Sequence, residues 1–248
     1  GGGLPNFRQA SDDTDGDSFE PDVARVGEAV VSEFLWQKGF SRVDYLVATH
    51  ADADHMQGLA DVAANFDIGG AFFGRTPAGD PDFVELSAVL KQKNIKRETF
   101  SAGDSFLIGG ATVEVLNPAA ESGVGGQTGN DDSVVLKISF GERTFLLTGD
   151  IERIAETDIL DRGSALRADV VKVPHHGSKT SSTEEFVKAA APKFAVISVG
   201  RHSRFGHPNQ EVVERWKNAG SQVWTTGEKG TVTFSTDGKG LDVEIYVK

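Results

Sequence analysis

The sequence predicts a layered α/β sandwich in which mixed β-sheets are covered by helices. Three observations lead there. Short apolar runs occur in hairpin-like pairs such as Thr112–Leu116 and Val134–Thr148. Single amphipathic segments separate these pairs, so strands and helices do not alternate strictly as in a doubly wound parallel sheet. The 248 residues show no internal repeat and no linker long enough to divide them, so residues 1–248 read as a single domain of ordinary size.

In chain order, the opening twenty residues are rich in Gly, Asp and Ser and read as a loop, Gln9 to Asp17 especially. Asp22–Phe40 then spaces Val23, Val26, Val30, Val31, Phe34 and Leu35 as a helix does, and Gly39 marks its stop. Buried strands are predicted at Tyr45–Thr49, Ala71–Phe73, Thr112–Leu116, Val134–Ser139, Thr144–Thr148 and Val170–Val173. Four more follow at Phe194–Val199, Gln222–Thr226, Gly230–Phe234 and Leu241–Tyr246. Further helical patterns fall at Gln57–Asn65, Asp82–Asn94, Ile151–Asp161, Glu184–Ala190 and Glu211–Ala219. Gly123–Gly129 reads as a loop between strands.

Composition narrows the chemistry. Apolar residues make up 38% of the chain, and no apolar stretch approaches the roughly 20 residues that cross a bilayer. No charged, apolar leader opens the chain. Gly1-Gly2-Gly3 reads as the end of a turn, which predicts an excised fragment or a chain lacking its first strands. There are no cysteines, so thiolate nucleophiles and cysteine-held zinc are excluded and any metal is held by nitrogen and oxygen. The formal net charge of -12 gives no long-range attraction for nucleic acid. Acidic metal ligands inflate that figure until cations neutralise them.

Residues His50-Ala51-Asp52-Ala53-Asp54-His55 follow a predicted strand and precede a helix. Two imidazoles and two carboxylates on one turn are donors that divalent metals prefer; the competing reading is a polar loop whose Asp caps the helix. Further donors are expected at distant strand ends. Phe145–Thr148 runs into Gly149-Asp150, and Val170–Val173 into Pro174-His175-His176-Gly177-Ser178. Asn130-Asp131-Asp132-Ser133 precedes a strand. Taken alone, a strand-end Asp after Gly is also a common turn.

In this order, His50-x-Asp52-x-Asp54-His55, Thr148-Gly149-Asp150 and His175-His176-Gly177-Ser178 resemble the metallo-β-lactamase superfamily. More narrowly they resemble the C-terminal hydrolase domains of the DNA internalisation competence (ComEC) family. The similarity runs from about Val26 to the C-terminus and includes Lys172–Ser182, Ser198–Arg201 and Gly206-His207-Pro208. The resemblance implies a four-layer αββα sandwich of two mixed sheets and a pair of divalent metals. One metal would take Asp54, His55, Asp150 and either His175 or His176. The other would take His50, Asp52 and the same Asp150.

Asp52 stands where the superfamily usually has a second histidine. In place of another metal-binding histidine the chain offers Asn130, Asp131 or Asp132. An oxygen-rich site shifts the expectation from zinc toward manganese, with zinc retained.

Two metals about 3.5–4 Å apart activate a water as hydroxide and clamp the group under attack, with Asp54 orienting the hydroxide. Ser178, Lys179 and Ser181, at the start of a helical pattern, together with Arg201, Arg204 and the catalytic candidate His207, suit a phosphate. Helix capping and a solvated basic turn are the competing readings.

The expected activity is therefore phosphodiester hydrolysis, with single-stranded DNA as the implied substrate and DNA uptake as the setting. A tether to a membrane channel and an extracytoplasmic location at the bacterial inner membrane follow from the ComEC resemblance. Without that parentage the chain reads as soluble. The alternatives are a free-standing hydrolase of a small phosphoester or lactone, a non-catalytic metal-binding domain, or a redox diiron protein.

Overall fold

The computed structural model describes residues 26–75, 79–120, 129–203 and 205–247. The Gln9–Asp17 loop, the start of the Asp22–Phe40 helix, most of Gly123–Gly129 and Arg204 lie outside them. The chain forms two compact units. One reaches to Phe72 and resumes after Arg75 up to Glu98; the other takes Phe73–Arg75 and everything from Thr99.

The first unit opens with helical turns at Gly27–Ser32, wound as π-helix, which run into α1 (Glu33–Gln37). Strand β1 (Arg42–Ala48) leads to α2 (Ala53–Asn65), then β2 (Asp67–Phe73), α3 (Pro81–Gln92) and β3 (Arg97–Thr99). The three strands form one sheet in the order β1-β2-β3. Helix α2 begins four residues earlier than the sequence pattern predicts, so Asp54 and His55 lie on its first turn.

Two devices fix that helix. A Cβ at Gly27 would overlap the Gly58 carbonyl oxygen, so only glycine permits the close crossing of the opening helix with α2. At its far end Lys93 donates to the carbonyls of Ala63, Ala64 and Phe66 at 2.7–2.9 Å. A cation there complements the helix dipole and occupies carbonyls that have no partner within the helix.

In the second unit, β4 (Ser105–Ile108), β5 (Ala111–Asn117), β6 (Val135–Phe140) and β7 (Arg143–Leu147) form an antiparallel meander. Helix α4 (Arg153–Asp161), β8 (Val170–Lys172), α5 (Glu184–Ala190), β9 (Phe194–Ile197), α6 (Gln210–Asn218) and β10 (Gln222–Thr225) follow. Strands β7 to β10 are parallel neighbours, so one seven-stranded sheet is antiparallel in one half and built of strand–helix units in the other. The parallel half is more regular than the hairpin-rich pattern suggests. After α7 (Thr226–Lys229), β11 (Val232–Ser235) and β12 (Asp242–Ile245) pair as a hairpin.

Register explains the core. Leu146, Val171 and Ala195 are aligned across β7, β8 and β9 and are fully buried. They pack in one cluster with Ala155 and Ile159 of α4, Phe186 and Val187 of α5, and Val212 and Trp216 of α6. Phe194, one position from Ala195 and so on the opposite face, meets Trp224 and Phe234 in tilted ring contacts at 5.0 and 5.4 Å. The two short strands β3 and β4 escape the sequence pattern because their residues are largely exposed. Among the described residues no helix is long and apolar enough to cross a membrane.

Candidate functional site

Chemistry-bearing residues form one group in each unit. In the first, β1 ends just before Thr49 and α2 starts just after Asp52. The rings of His50 and His55 lie 4.3 Å apart. Thr49 Oγ1 is 3.1 Å from His50 Nδ1 and 3.3 Å from His55 Nδ1. One hydroxyl therefore addresses the same nitrogen on both rings and directs both Nε2 atoms elsewhere. Each Nε2 is 3.7 Å from a carboxylate, Asp52 for His50 and Asp54 for His55. His50 is buried, while the carboxylates of Asp52 and Asp54 are about half exposed.

The second group depends on topology. Because β7, β8 and β9 run parallel and side by side, the segments after their carboxyl ends emerge at one sheet edge, where α/β proteins place ligands. After β7, Gly149 adopts φ +55°, and the backbone amide of buried Asp150 donates to Ser133 Oγ at 3.0 Å. Lys172, the single charged residue of β8, donates to Gly149 O at 2.8 Å and to Asp150 Oδ1 at 3.1 Å.

The histidine pair does not continue β8. His175, His176 and Gly177 have φ of 44°, 51° and 79°, a left-handed turn rather than alternating strand residues. Such a conformation costs a non-glycine residue about 1–2 kcal/mol. This turn separates the two rings. His176 Nδ1 lies 2.5 Å from the Ser198 carbonyl and Nε2 lies 3.1 Å from Asp150 Oδ2. A proton on Nδ1 bonded to that carbonyl leaves the Nε2 lone pair facing the carboxylate. His175 Nδ1 approaches Glu152 Oε1 at 2.9 Å, off the direction of a ring N–H bond. Its ring meets the edge of His207 at 5.6 Å. Burial lowers the His207 pKa first, and the neighbouring His175 and His176 add to this against the opposing pull of Asp150.

Glu152 gathers segments that the sequence kept apart. Asn130 Nδ2 and Thr180 Oγ1 donate to the same Oε1 at 3.3 and 2.8 Å. Asp131 accepts from the amides of Glu152 and Ala155 at the start of α4, and Asp132 pairs with Arg75 at 3.2 Å. Both carboxylates are thus engaged in holding the fold.

The predicted phosphate-binding segment is also turned inward. Ser178 is buried, with its hydroxyl 2.9 Å from Thr180 Oγ1, and Ser181 donates to the carbonyls of Pro174 and Ser178 at 3.0 Å. The amides of Ser182 and Thr183, just ahead of α5, donate to buried Glu156 at 2.5 and 2.7 Å. A protein carboxylate therefore takes the position expected for a ligand anion at this helix start. Burial pushes the Glu156 carboxyl up to about 7 despite those two bonds. Lys179 and Arg201 are exposed, and Arg201 Nε donates to Gly227 O at 3.2 Å. Pro208 precedes α6 by two residues, and Asn209 caps that helix instead.

Thr49, Glu152, Glu156 and Lys172 are the functional-region residues that sequence reasoning missed. Lys172 left a signal, a lone charge in an apolar strand. Glu156 left a weaker one, a carboxylate beside the buried Ala155–Ile159 stripe.

Known proteins place this arrangement in a family. The profile of the metallo-beta-lactamase superfamily matches residues 18–201. ComE operon protein 3 of Bacillus subtilis is 31% identical over 209 residues, covering 84% of this chain and 26% of the relative. Competence protein ComA of Neisseria gonorrhoeae is 28% identical over 227 residues, covering 91% of this chain and 30% of the relative. The chain thus spans about a quarter to a third of these relatives, and the resemblance to competence proteins is borne out.

Among solved structures, the metallo-beta-lactamase fold protein YhfI of Bacillus subtilis aligns with a TM-score of 0.52 at 14% identity, covering 80% of this chain and 81% of that one. CmlA, a diiron beta-hydroxylase of Streptomyces venezuelae, gives 0.51 at 17% identity, covering 74% and 43%. Both likenesses concern the fold. With its profile match across most of its length, the chain belongs to the metallo-β-lactamase superfamily.

Proposed function

We propose that the chain is a metal-dependent phosphodiester hydrolase acting on DNA during DNA uptake. His50, Asp52, Asp54, His55, Asp150 and His176 are its ligands for two divalent ions, manganese or zinc. The observation that carries the metal assignment is the orientation of the imidazoles. Each has its Nδ1 held, by Thr49 or by the Ser198 carbonyl, while Nε2 faces a carboxylate. Metal-binding histidines are oriented in this way through their second nitrogen. The donors are nitrogen and oxygen only, which suits hard and borderline divalent cations.

When bound, such ions lower the pKa of a water and stabilise the charge developing on phosphate. The chain's own residues do the rest. Lys172 holds Asp150 by Oδ1, and Oδ2 lies beside His176 Nε2, so that carboxylate and imidazole would hold a cation together. His207, its pKa lowered by burial and by the nearby histidines, hydrogen-bonds a phosphate oxygen, and Arg201 and Lys179 offset phosphate charge from exposed positions. Glu152, Asn130 and Thr180 hold His175 and the turn around it. The competence names of the relatives support DNA as substrate, and attachment to a membrane channel belongs to the same proposal.

Incubating the protein with single- and double-stranded DNA and Mn, Zn or Mg tests this, with Asp54→Ala and His55→Ala as controls. Cleavage that depends on metal and is lost in both variants is expected. No cleavage with any metal, or cleavage indifferent to the substitutions, overturns the reading.

A further inference from the structure

The loop after β9 carries a side chain that the hydrolase reading leaves without a role. Phe205 is 84% exposed, and a single exposed apolar residue is ordinary on a protein surface. Its setting is not.

The loop is pinned at both ends. On one side Val199 N donates to Thr226 Oγ1 at 2.9 Å and Arg201 Nε to Gly227 O. On the other, Asn209 N donates to Gly177 O at 2.8 Å. A Cβ on Gly177 would also press within 2.8 Å of Pro208 Cβ. Between these anchors Ser203 Oγ accepts from the amides of Phe205 and His207 at 3.3 and 3.2 Å. The backbone amide of Phe205 is thereby engaged while its ring is turned to solvent.

It is also aligned with the site. The Phe205 and His207 rings are near-parallel, at 25° and 6.1 Å, and His207 meets His175 at 5.6 Å. A file of rings leads from the histidine turn to solvent.

We propose that Phe205 is a stacking platform for an unpaired nucleobase, making the site selective for single-stranded DNA. The inference rests on the phosphodiesterase reading and deepens it. A base stacked within a duplex has no free face to offer, whereas an unpaired base does. Stacking is independent of charge and tolerant of sequence. It suits a chain whose net charge of -12 provides little affinity through phosphate neutralisation.

The test measures binding of a fluorescent single-stranded oligonucleotide, a matched abasic oligonucleotide and a duplex, in EDTA, for the wild type, Phe205→Ala and Phe205→Trp. The wild type is expected to prefer the base-bearing single strand to the abasic one by about tenfold. Phe205→Ala loses that preference, Phe205→Trp keeps it, and the salt dependence is the same in all three because no phosphate contact changes. Equal binding by wild type and Phe205→Ala, no preference in the wild type, or a loss affecting both single strands alike overturns the proposal. Preference for the duplex does so as well.

A cleavage assay with added metal separates this from the parent reading. Cleavage by the wild type with no stacking preference leaves the hydrolase reading standing and sinks the platform. A stacking preference without cleavage does the reverse.

Discussion

His50, Asp52, Asp54 and His55 fall within six consecutive positions of the first unit, whereas Asp150, His176 and His207 of the second come from the segments that follow three different strands. The first group is set by local geometry: one strand end, one helix start and one threonine hydroxyl orienting two rings. Two of its four donors are exposed carboxylates. The second group is set by sheet order; its central carboxylate is buried against the Lys172 amine, and the same residue's backbone amide donates to Ser133 Oγ. The same ligand types therefore have different relations to stability. Removing an exposed carboxylate from the turn takes away a donor and little buried structure. Removing one from the strand ends also opens a buried polar network.

Paired substitutions put the greatest strain on that contrast. Asp54→Ala and Asp150→Ala are each expected to lower metal-dependent DNA cleavage by about 10³-fold, the scale of losing one transition-state stabiliser. Thermal or urea unfolding should divide them. Asp54→Ala stays within about 0.5 kcal/mol of wild type, as exposed substitutions do, and Asp150→Ala loses about 2–3 kcal/mol with its charged hydrogen bonds. Equal stabilities would erase the distinction.

Glu156 sharpens it through pH. Its carboxyl holds a proton up to about 7 in the folded chain against an ordinary value of 4.5. The folded state therefore binds more protons across that window, and stability is highest below pH 4.5 and falls as pH rises through 7. The loss amounts to about 3 kcal/mol at most. Melting curves of wild type and Glu156→Gln across this range should show a difference that changes with pH, and a constant difference counts against the assignment.

The smallest expected effect belongs to Thr49. Thr49→Ala should weaken metal binding by about 10- to 100-fold, as loss of an orienting partner does, with Thr49→Ser near wild type in metal titration. A metal affinity unchanged in Thr49→Ala would mean the rings are oriented by something else.

The legibility of the sequence followed the same division. The donor turn was visible because its residues are adjacent and flanked by a clear strand and helix, and the strand-end Asp150 was visible because Gly149 announces a turn. The helix patterns held, Glu184–Ala190 to the residue. What escaped reading were side-chain contacts across the fold. Nothing in the order of residues says that Asp131 caps α4 from another segment, or that Glu156 rather than a ligand meets the amides before α5. The left-handed turn of the histidine pair leaves no mark in the sequence because two non-glycine residues adopt it against local preference. Only the packing around it maintains that conformation.

The parallel run of β7, β8 and β9 has a consequence for how such a protein changes over time. Each strand end presents its own attachment: a carboxylate after the first, imidazoles after the second, a loop with Phe205 after the third. The strands are fixed by the buried row of Leu146, Val171 and Ala195. The third loop is tied to the histidine turn at both ends, by Ser198 to His176 and by Asn209 to Gly177, so change that leaves the turn undisturbed is confined to the stretch between those anchors. An exchange of that stretch, by descent or by design, would have to keep both anchors to leave the imidazoles where they are.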